Sequence, residues 1–252
     1  MTRLRAVALD LWGTLIVDAP GGGRRRMRRR EARLTRAYER AGAGSGAAGA
    51  VPKAIRHAID ELVVAHQSNI DLSGEDRLNA VRRSMLEQCP DTVEDDALRE
   101  ELVAAICESP SWEPPDIIDG VERELAALKQ RGVTLAVVSN TGLAPGRYVE
   151  DALVARGFDR WIDHWIWSDD VLSWKPGSAI FAAALDALGA SAGETAFVGD
   201  TPEADILGSR HAGFAVSVLV GDKSDEAIEP DLTLPSVRGL TARLKQRGYL
   251  SH

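Results

Sequence analysis

From residue 116 onward the chain alternates between two hydrophobic periods, and few folds accommodate that. Apolar β-like runs fall at 133–139, 161–167, 195–198 and 214–220. Between them, 121–131, 148–157, 178–188 and 203–212 carry apolar residues at helical spacing. Val121, Leu125 and Leu128 make one such stripe, which Gly132 ends, and Gly189 closes the stripe at 178–188. Parallel strands need crossover connections. The alternation therefore predicts a parallel sheet with helices on both faces, a doubly wound α/β architecture. An earlier apolar run at 6–9 reads as a further buried strand, with a turn at Gly13-Thr14 behind it.

Residues 18–115 follow a different rule. They contain no convincing strand, and helical stretches are predicted at 24–41, 53–67, 74–88 and 94–108. Residues 41–50 are all Gly, Ala and Ser, the composition of a flexible connection. Pro114-Pro115 marks a return to extended chain. The expected organisation is an α/β core made of 1–17 and 116–252, with a helical insertion over 18–115. No internal repeat is present.

Composition removes several classes of function. A formal net charge of −8 argues against general nucleic-acid binding. No apolar run approaches the roughly 20 residues that cross a bilayer, and no signal-peptide pattern precedes the first strand. Cytoplasmic residence is the expectation, with no membrane partner. Cys89 and Cys107 have no metal-type spacing and read as small buried hydrophobes.

Four polar segments fall at strand ends. Asp10 with Thr14 ends the first strand, and Ser139-Asn140-Thr141-Gly142 ends the second. Lys175-Pro176 follows the third, and Gly199-Asp200 through Asp205 ends the fourth. In a parallel sheet these ends share one edge, so the side chains can converge. A carboxylate such as Asp10 can attack phosphorus to form an aspartyl-phosphate. Lys175 and a bound cation would neutralise the charge of that attack. Asp10, Asp200 and Asp205 are hard oxygen donors suited to Mg²⁺. Ser139 and the N–H groups after it can hold phosphate oxygens.

These segments, in this order, resemble the motifs of the haloacid dehalogenase (HAD) superfamily over nearly the whole chain. Asp10-Leu-Trp-Gly-Thr14-Leu is similar to its first motif, Val138-Ser139-Asn140 to its second, Lys175-Pro176 ahead of Ile180-Phe181 to its third, and Phe197-Val198-Gly199-Asp200 through Asp205 to its fourth. The resemblance implies Asp10 as nucleophile and Thr14 orienting it. It implies Ser139, Asn140 and Lys175 on the transferred group, and Mg²⁺ held by Asp10, Asp200, Asp205 and the backbone carbonyl of Trp12. The helical insertion resembles the C1 cap of the superfamily, which closes over the site and selects the substrate.

One position departs. Phosphatases of the superfamily carry an aspartate two residues after the nucleophile, which protonates the leaving oxygen and then activates water. Here that residue is Trp12, which can do neither, and general acid–base help is worth on the order of 10²–10⁴ in rate. Three readings stay open. The first is a Mg²⁺-dependent phosphohydrolase of a small phosphorylated metabolite. Its proton would come from another group, such as His57, His66 or a carboxylate, unless the leaving group needs none, as in an acyl phosphate or diphosphate. The metal motif favours this reading, as does Phe181, where the dehalogenase branch carries a tyrosine. The second is a 2-haloacid dehalogenase, whose branch has an aromatic residue at the position of Trp12 and uses no metal. The third is a degenerate or repurposed member, with an apolar pocket if Trp12, Leu172 and Trp174 face it.

Other features weigh differently. Trp12 can pack as filler or touch substrate, whereas Trp161, Trp165 and Trp167 read as core. Six arginines at 24–30 read mainly as a solvated helix start, with one or two able to draw in an anionic substrate. Monomer and homodimer are equally compatible with the sequence.

Overall fold

The computed structural model describes residues 3–251. The strands are β1 (Ala6–Leu9), β2 (Ile16–Val17), β3 (Asp116–Ile117), β4 (Thr134–Ser139), β5 (His164–Trp167), β6 (Thr195–Gly199), β7 (Val216–Val220) and β8 (Leu232–Leu234). Six of them form one sheet in the order β5-β4-β1-β6-β7-β8, and every neighbouring pair in it is parallel. β2 and β3 pair separately as a short antiparallel ladder. The predicted doubly wound α/β class is the one observed.

The helices are α1 (Gly22–Tyr38), α2 (Ala47–His66), α3 (Gly74–Gln88), α4 (Asp96–Ile106), α5 (Ser109–Trp112), α6 (Val121–Lys129), α7 (Gly146–Val154), α8 (Ser168–Val171), α9 (Ser178–Leu188), α10 (Gly208–His211) and α11 (Leu240–Gln246). By its internal contacts the chain divides into two compact units. One comprises 1–17, 116–140 and 153–252, and the other comprises 18–115 and 141–152. Nothing in the sequence pattern separates 141–152 from the sheet.

In the sheet unit, the central strands are buried on both faces, so their sequences run apolar without alternation. Ala6, Ala8 and Ala136 are small on one face, and α9 packs above them through Ile180, Phe181 and Ala184. Phe181, Phe197 and Phe214 meet edge to face, with centroids 5.3, 5.7 and 6.0 Å apart. Trp167 is buried, and Trp165 stacks on it at 5.8 Å. The central strand β1 lies between β4 and β6, so its C-terminal end sits where the strand order reverses. Open α/β sheets bind their ligands at such a point.

The helical unit has its own core, built from Leu34, Tyr38, Val51, Ile55, Leu62, Val81 and Met85 together with a row of alanines on α2. Cys89 and Cys107 are free and buried in it, and burial pushes the Cys107 thiol up to about 11. One expectation fails here. The Gly/Ala/Ser segment is not a loose connection: 44–46 forms a helical turn, and α2 starts at Ala47, with Ala47 and Ala50 buried. Alanine has the highest helix propensity, and its small side chain lets a helix pack closely. Among the described residues no helix is long and apolar enough to cross a membrane.

Candidate active site

Asp10 follows the last residue of β1, and its backbone N–H donates to the Val198 carbonyl at 2.8 Å, which fixes it beside β6. The chain then turns tightly. The Leu11 carbonyl accepts from the N–H groups of Leu15 at 2.8 Å and Ile16 at 3.0 Å. That turn brings the Thr14 hydroxyl back to donate to Asp10 Oδ2 at 3.1 Å. Gly13 makes it possible twice over. Its φ is +81°, and a Cβ there would fall inside the carboxylate of Asp200.

Lys175 is 2% exposed and all three of its ammonium protons are used. They go to Asp10 Oδ1 at 2.7 Å, Asp205 Oδ1 at 2.7 Å and the Val138 carbonyl at 2.9 Å. The Asn140 side chain holds this lysine in place. Its Oδ1 accepts from the Lys175 N–H at 2.7 Å, and its Nδ2 donates to the Lys175 carbonyl at 3.2 Å. Asn140 thus commits its amide to the backbone of Lys175. Ser139, the last residue of β4, is buried, and its hydroxyl donates to the Asn140 carbonyl at 3.1 Å.

The end of β6 supplies the remaining carboxylates. Asp205 is buried and accepts the Thr201 N–H at 2.9 Å on the oxygen that Lys175 does not use. Gly199 is obligatory here as well, because any Cβ would overlap Asp205. Asp200 accepts from the Thr201 hydroxyl at 3.0 Å. Each of Asp10, Asp200 and Asp205 offers an oxygen within 4.8 Å of the others.

Three carboxylates face two ammoniums, the buried Lys175 and the exposed Lys223 on Asp200, which leaves negative charge uncompensated. Burial is the main reason the Asp10 carboxyl is pushed up to about 7. Lys175 opposes the rise, and Asp205 and Asp200 add to it. Burial also works against the Lys175 charge, but Asp10 and Asp205 together hold its ammonium above the ordinary value. The donor set is all hard oxygen, closely spaced and over-charged. It therefore fits a divalent cation such as Mg²⁺ on charge, softness and distance.

Sequence reasoning passed over Lys223, whose ammonium hydrogen-bonds Asp200 Oδ2 and lies 3.4 Å from the Thr201 hydroxyl. It stands in the loop after β7, the strand beside β6. A lysine just past the apolar run at 214–220, in a chain where lysine is scarce, was the available signal. Gly13 and Gly199 stand in the turn and in the fourth motif, but the sequence does not show their contacts with Asp200 and Asp205.

The other candidates lie elsewhere or do other work. Trp12 is half-buried and bridges to Ile16 within the turn. Trp174 is half-buried and Leu172 exposed. His57 pairs with Glu61 on α2 at 3.0 Å, and His66 meets Asp71 at 3.1 Å, all within the helical unit. The arginine run is not simply solvated. Arg25 pairs with Glu113, and Arg26 with Asp18 at 2.6 Å. Arg30 is buried, donating to Ala105 and Ser109, and Arg29 covers the Trp112 ring at 4.8 Å. Apart from the Arg26–Asp18 pair, these contacts tie α1 to the end of the inserted segment, work that no local pattern reveals.

The sequence profile of haloacid dehalogenase-like hydrolases matches residues 4–213. The chain belongs to this family. The hydrolase is 29% identical to a phosphoglycolate phosphatase of Pectobacterium atrosepticum, over 93% of this chain and 89% of that protein. Its fold superposes on a 2-haloacid dehalogenase from Pseudomonas syringae pv. Tomato DC3000 with a TM-score of 0.66 at 20% identity, over 98% of this chain and 100% of that one. It also superposes on the HAD-hydrolase YfnB from Bacillus subtilis, bound to magnesium, with a TM-score of 0.57 at 18% identity, over 96% and 99%. At these identities the two structural likenesses speak to the fold alone.

Proposed function

We propose that this hydrolase is a Mg²⁺-dependent phosphohydrolase acting on a small phosphorylated molecule through Asp10. The observation that carries the reading is the cluster of three carboxylates with oxygens within 4.8 Å, beside the saturated Lys175. Halide displacement needs one carboxylate nucleophile. The ester so formed then needs one base to activate water, which leaves a third aspartate without work, whereas a divalent cation would use all three.

In the proposed reaction a carboxylate oxygen of Asp10 attacks phosphorus, the bond to the leaving oxygen breaks, and an aspartyl-phosphate forms. Water then attacks phosphorus, which releases inorganic phosphate and restores the carboxylate. Thr14 and Lys175 each hold one Asp10 oxygen and so fix the direction of attack. Lys175 also spreads positive charge toward the transferring group. Ser139, at the end of β4, frames the phosphoryl side, and Asn140 serves it by holding Lys175 in place. Mg²⁺, held by Asp10, Asp200, Asp205 and the Trp12 carbonyl, would neutralise phosphoryl oxygens. Trp12 supplies no proton, so the reading favours substrates whose leaving group is weakly basic, such as acyl phosphates and diphosphates.

Trp12 itself favours a second reading, displacement of halide from a 2-haloacid, because the dehalogenase branch has an aromatic residue at that position. One panel separates the two. Phosphate release that needs Mg²⁺ and disappears in Asp10→Asn supports the phosphohydrolase. Halide release in EDTA, with no phosphate release in Mg²⁺, overturns it.

A further inference from the structure

The acidic cluster has two resident cations, and they differ. Lys175 is buried and makes three fixed contacts with Asp10, Asp205 and the Val138 carbonyl. Lys223 has a side chain 55% exposed, reaches in from an irregular loop, and touches only the outermost carboxylate, Asp200, and its neighbour Thr201. The oxygen it uses, Asp200 Oδ2, is also the one closest to the Gly13 turn that follows Asp10, as the overlap with a Gly13 Cβ shows. Asp200 is also one of the three carboxylates whose oxygens come within 4.8 Å of one another, the donors a divalent cation would seek.

We infer that Lys223 is a tethered competitor for the divalent cation, and that it sets the metal affinity of the site by occupying Asp200 Oδ2. An ammonium bound to that oxygen draws on the same negative charge a cation needs, and the two positive charges repel across a few ångströms. Metal binding therefore involves exchange of Lys223 off Asp200. Its exposed stem and loop position make that exchange easy, which the buried Lys175 could not match. The inference rests on the metal-dependent reading of the cluster proposed above.

Titration with Mn²⁺, followed by loss of the free-ion EPR signal, tests it on the full chain. Lys223→Met is expected to lower the Mn²⁺ Kd by roughly 3- to 10-fold, as expected for freeing a partly exposed carboxylate from its pair. Lys53→Met makes the same change in net charge at an exposed position of the helical unit and is expected to leave the Kd where it was. A second readout needs no turnover. In EDTA, Lys223→Met melts below wild type, because the carboxylates have lost a counter-charge. Added Mn²⁺ then raises its Tm by more than it raises that of wild type. Unchanged affinity in Lys223→Met, or the same gain in Lys53→Met, overturns the competitor role and leaves the metal reading intact. No Mn²⁺ binding by wild type or by any variant overturns both.

Discussion

Each unit of this hydrolase buries a basic side chain against carboxylates, and the two clusters are built on opposite principles. In the sheet unit, Lys175 faces Asp10 and Asp205, with Asp200 close by. In the helical unit, Arg77 is wholly buried. It pairs with Asp71 at 2.7 Å and donates to the Thr141 hydroxyl at 2.9 Å and to the Gly142 carbonyl. There one guanidinium meets one buried carboxylate, which His66 also touches, and neutral oxygens take two more of its N–H groups while its Nε has no partner among the described residues. The first cluster carries more carboxylates than ammoniums, as the proposed chemistry requires. The second is balanced and serves as a rivet between 71–77 and 141–142. Both clusters bury a basic side chain, so it is the unmatched charge that distinguishes the candidate site from the strut.

The strongest way to break this contrast is to remove the central acid of each cluster. Asp10→Asn is expected to lower turnover by on the order of 10³-fold or more, yet to cost little stability. Its pH signature follows from the raised carboxyl, which moves from an ordinary 3.8 to about 7. Below about pH 4 the group is protonated both folded and unfolded. As pH rises through about 7, the unfolded chain ionises first, so the folded state loses stability across that window. In EDTA, wild type should therefore lose stability between pH 4 and 7, and Asp10→Asn should flatten that decline. An unchanged slope in urea melts across the window would reject a raised Asp10 carboxyl.

Arg77→Met should do the converse. It removes the guanidinium from Asp71 and leaves His66 as a basic neighbour, at a cost of about 3–5 kcal/mol, measurable as a shift in urea midpoint. The double variant Arg77→Met with Asp71→Asn should recover part of that loss. If the double variant is no better than the single, the pair is not what holds the rivet.

Steric tolerance differs between the clusters too. Gly13→Ala and Gly199→Ala put a methyl group into Asp200 and Asp205 respectively, so each should cost roughly 1–3 kcal/mol and weaken metal-dependent activity. Gly142, beside Arg77, has nothing within 4 Å of where a Cβ would stand, so Gly142→Ala should be nearly neutral. Equal losses at all three positions would mean that the crowding around the carboxylates is not special.

These contrasts also mark where the sequence stops being readable. Asp10, Ser139, Lys175 and Asp200 could be placed at strand ends because each borders an apolar run or a helix start, a local signal. The strand–helix alternation showed the sheet for the same reason. Lys223 and the two site glycines depend on contacts across loops that are distant in sequence, and no local period reports those. The Arg77 rivet joins segments 64 residues apart. β8 and α11, at the end of the chain, are too short for periodicity to announce, and the alanine-rich start of α2 was hidden by glycines that elsewhere signal a loop.

The smallest effect sits just upstream of each cluster. Asn69 and Leu172 are the two non-glycine residues with positive φ among the described residues, at 55° and 57°. Asn69 lies two residues before Asp71, and Leu172 three before Lys175. Asparagine tolerates the left-handed region because its short polar side chain can bond locally, whereas leucine sets its Cβ against the following carbonyl at a cost of about 1–2 kcal/mol. Leu172 is half exposed, so little packing offsets that strain. It ends α8 in a conformation that favours glycine or asparagine. Leu172→Asn should therefore stabilise the protein by about 1 kcal/mol, and Asn69→Leu should destabilise it by a similar amount, both read from denaturant midpoints. If Leu172→Asn gains stability while kcat falls, the strain helps to hold the Lys175 loop in register for turnover. If kcat is unchanged, the strain is incidental to the site.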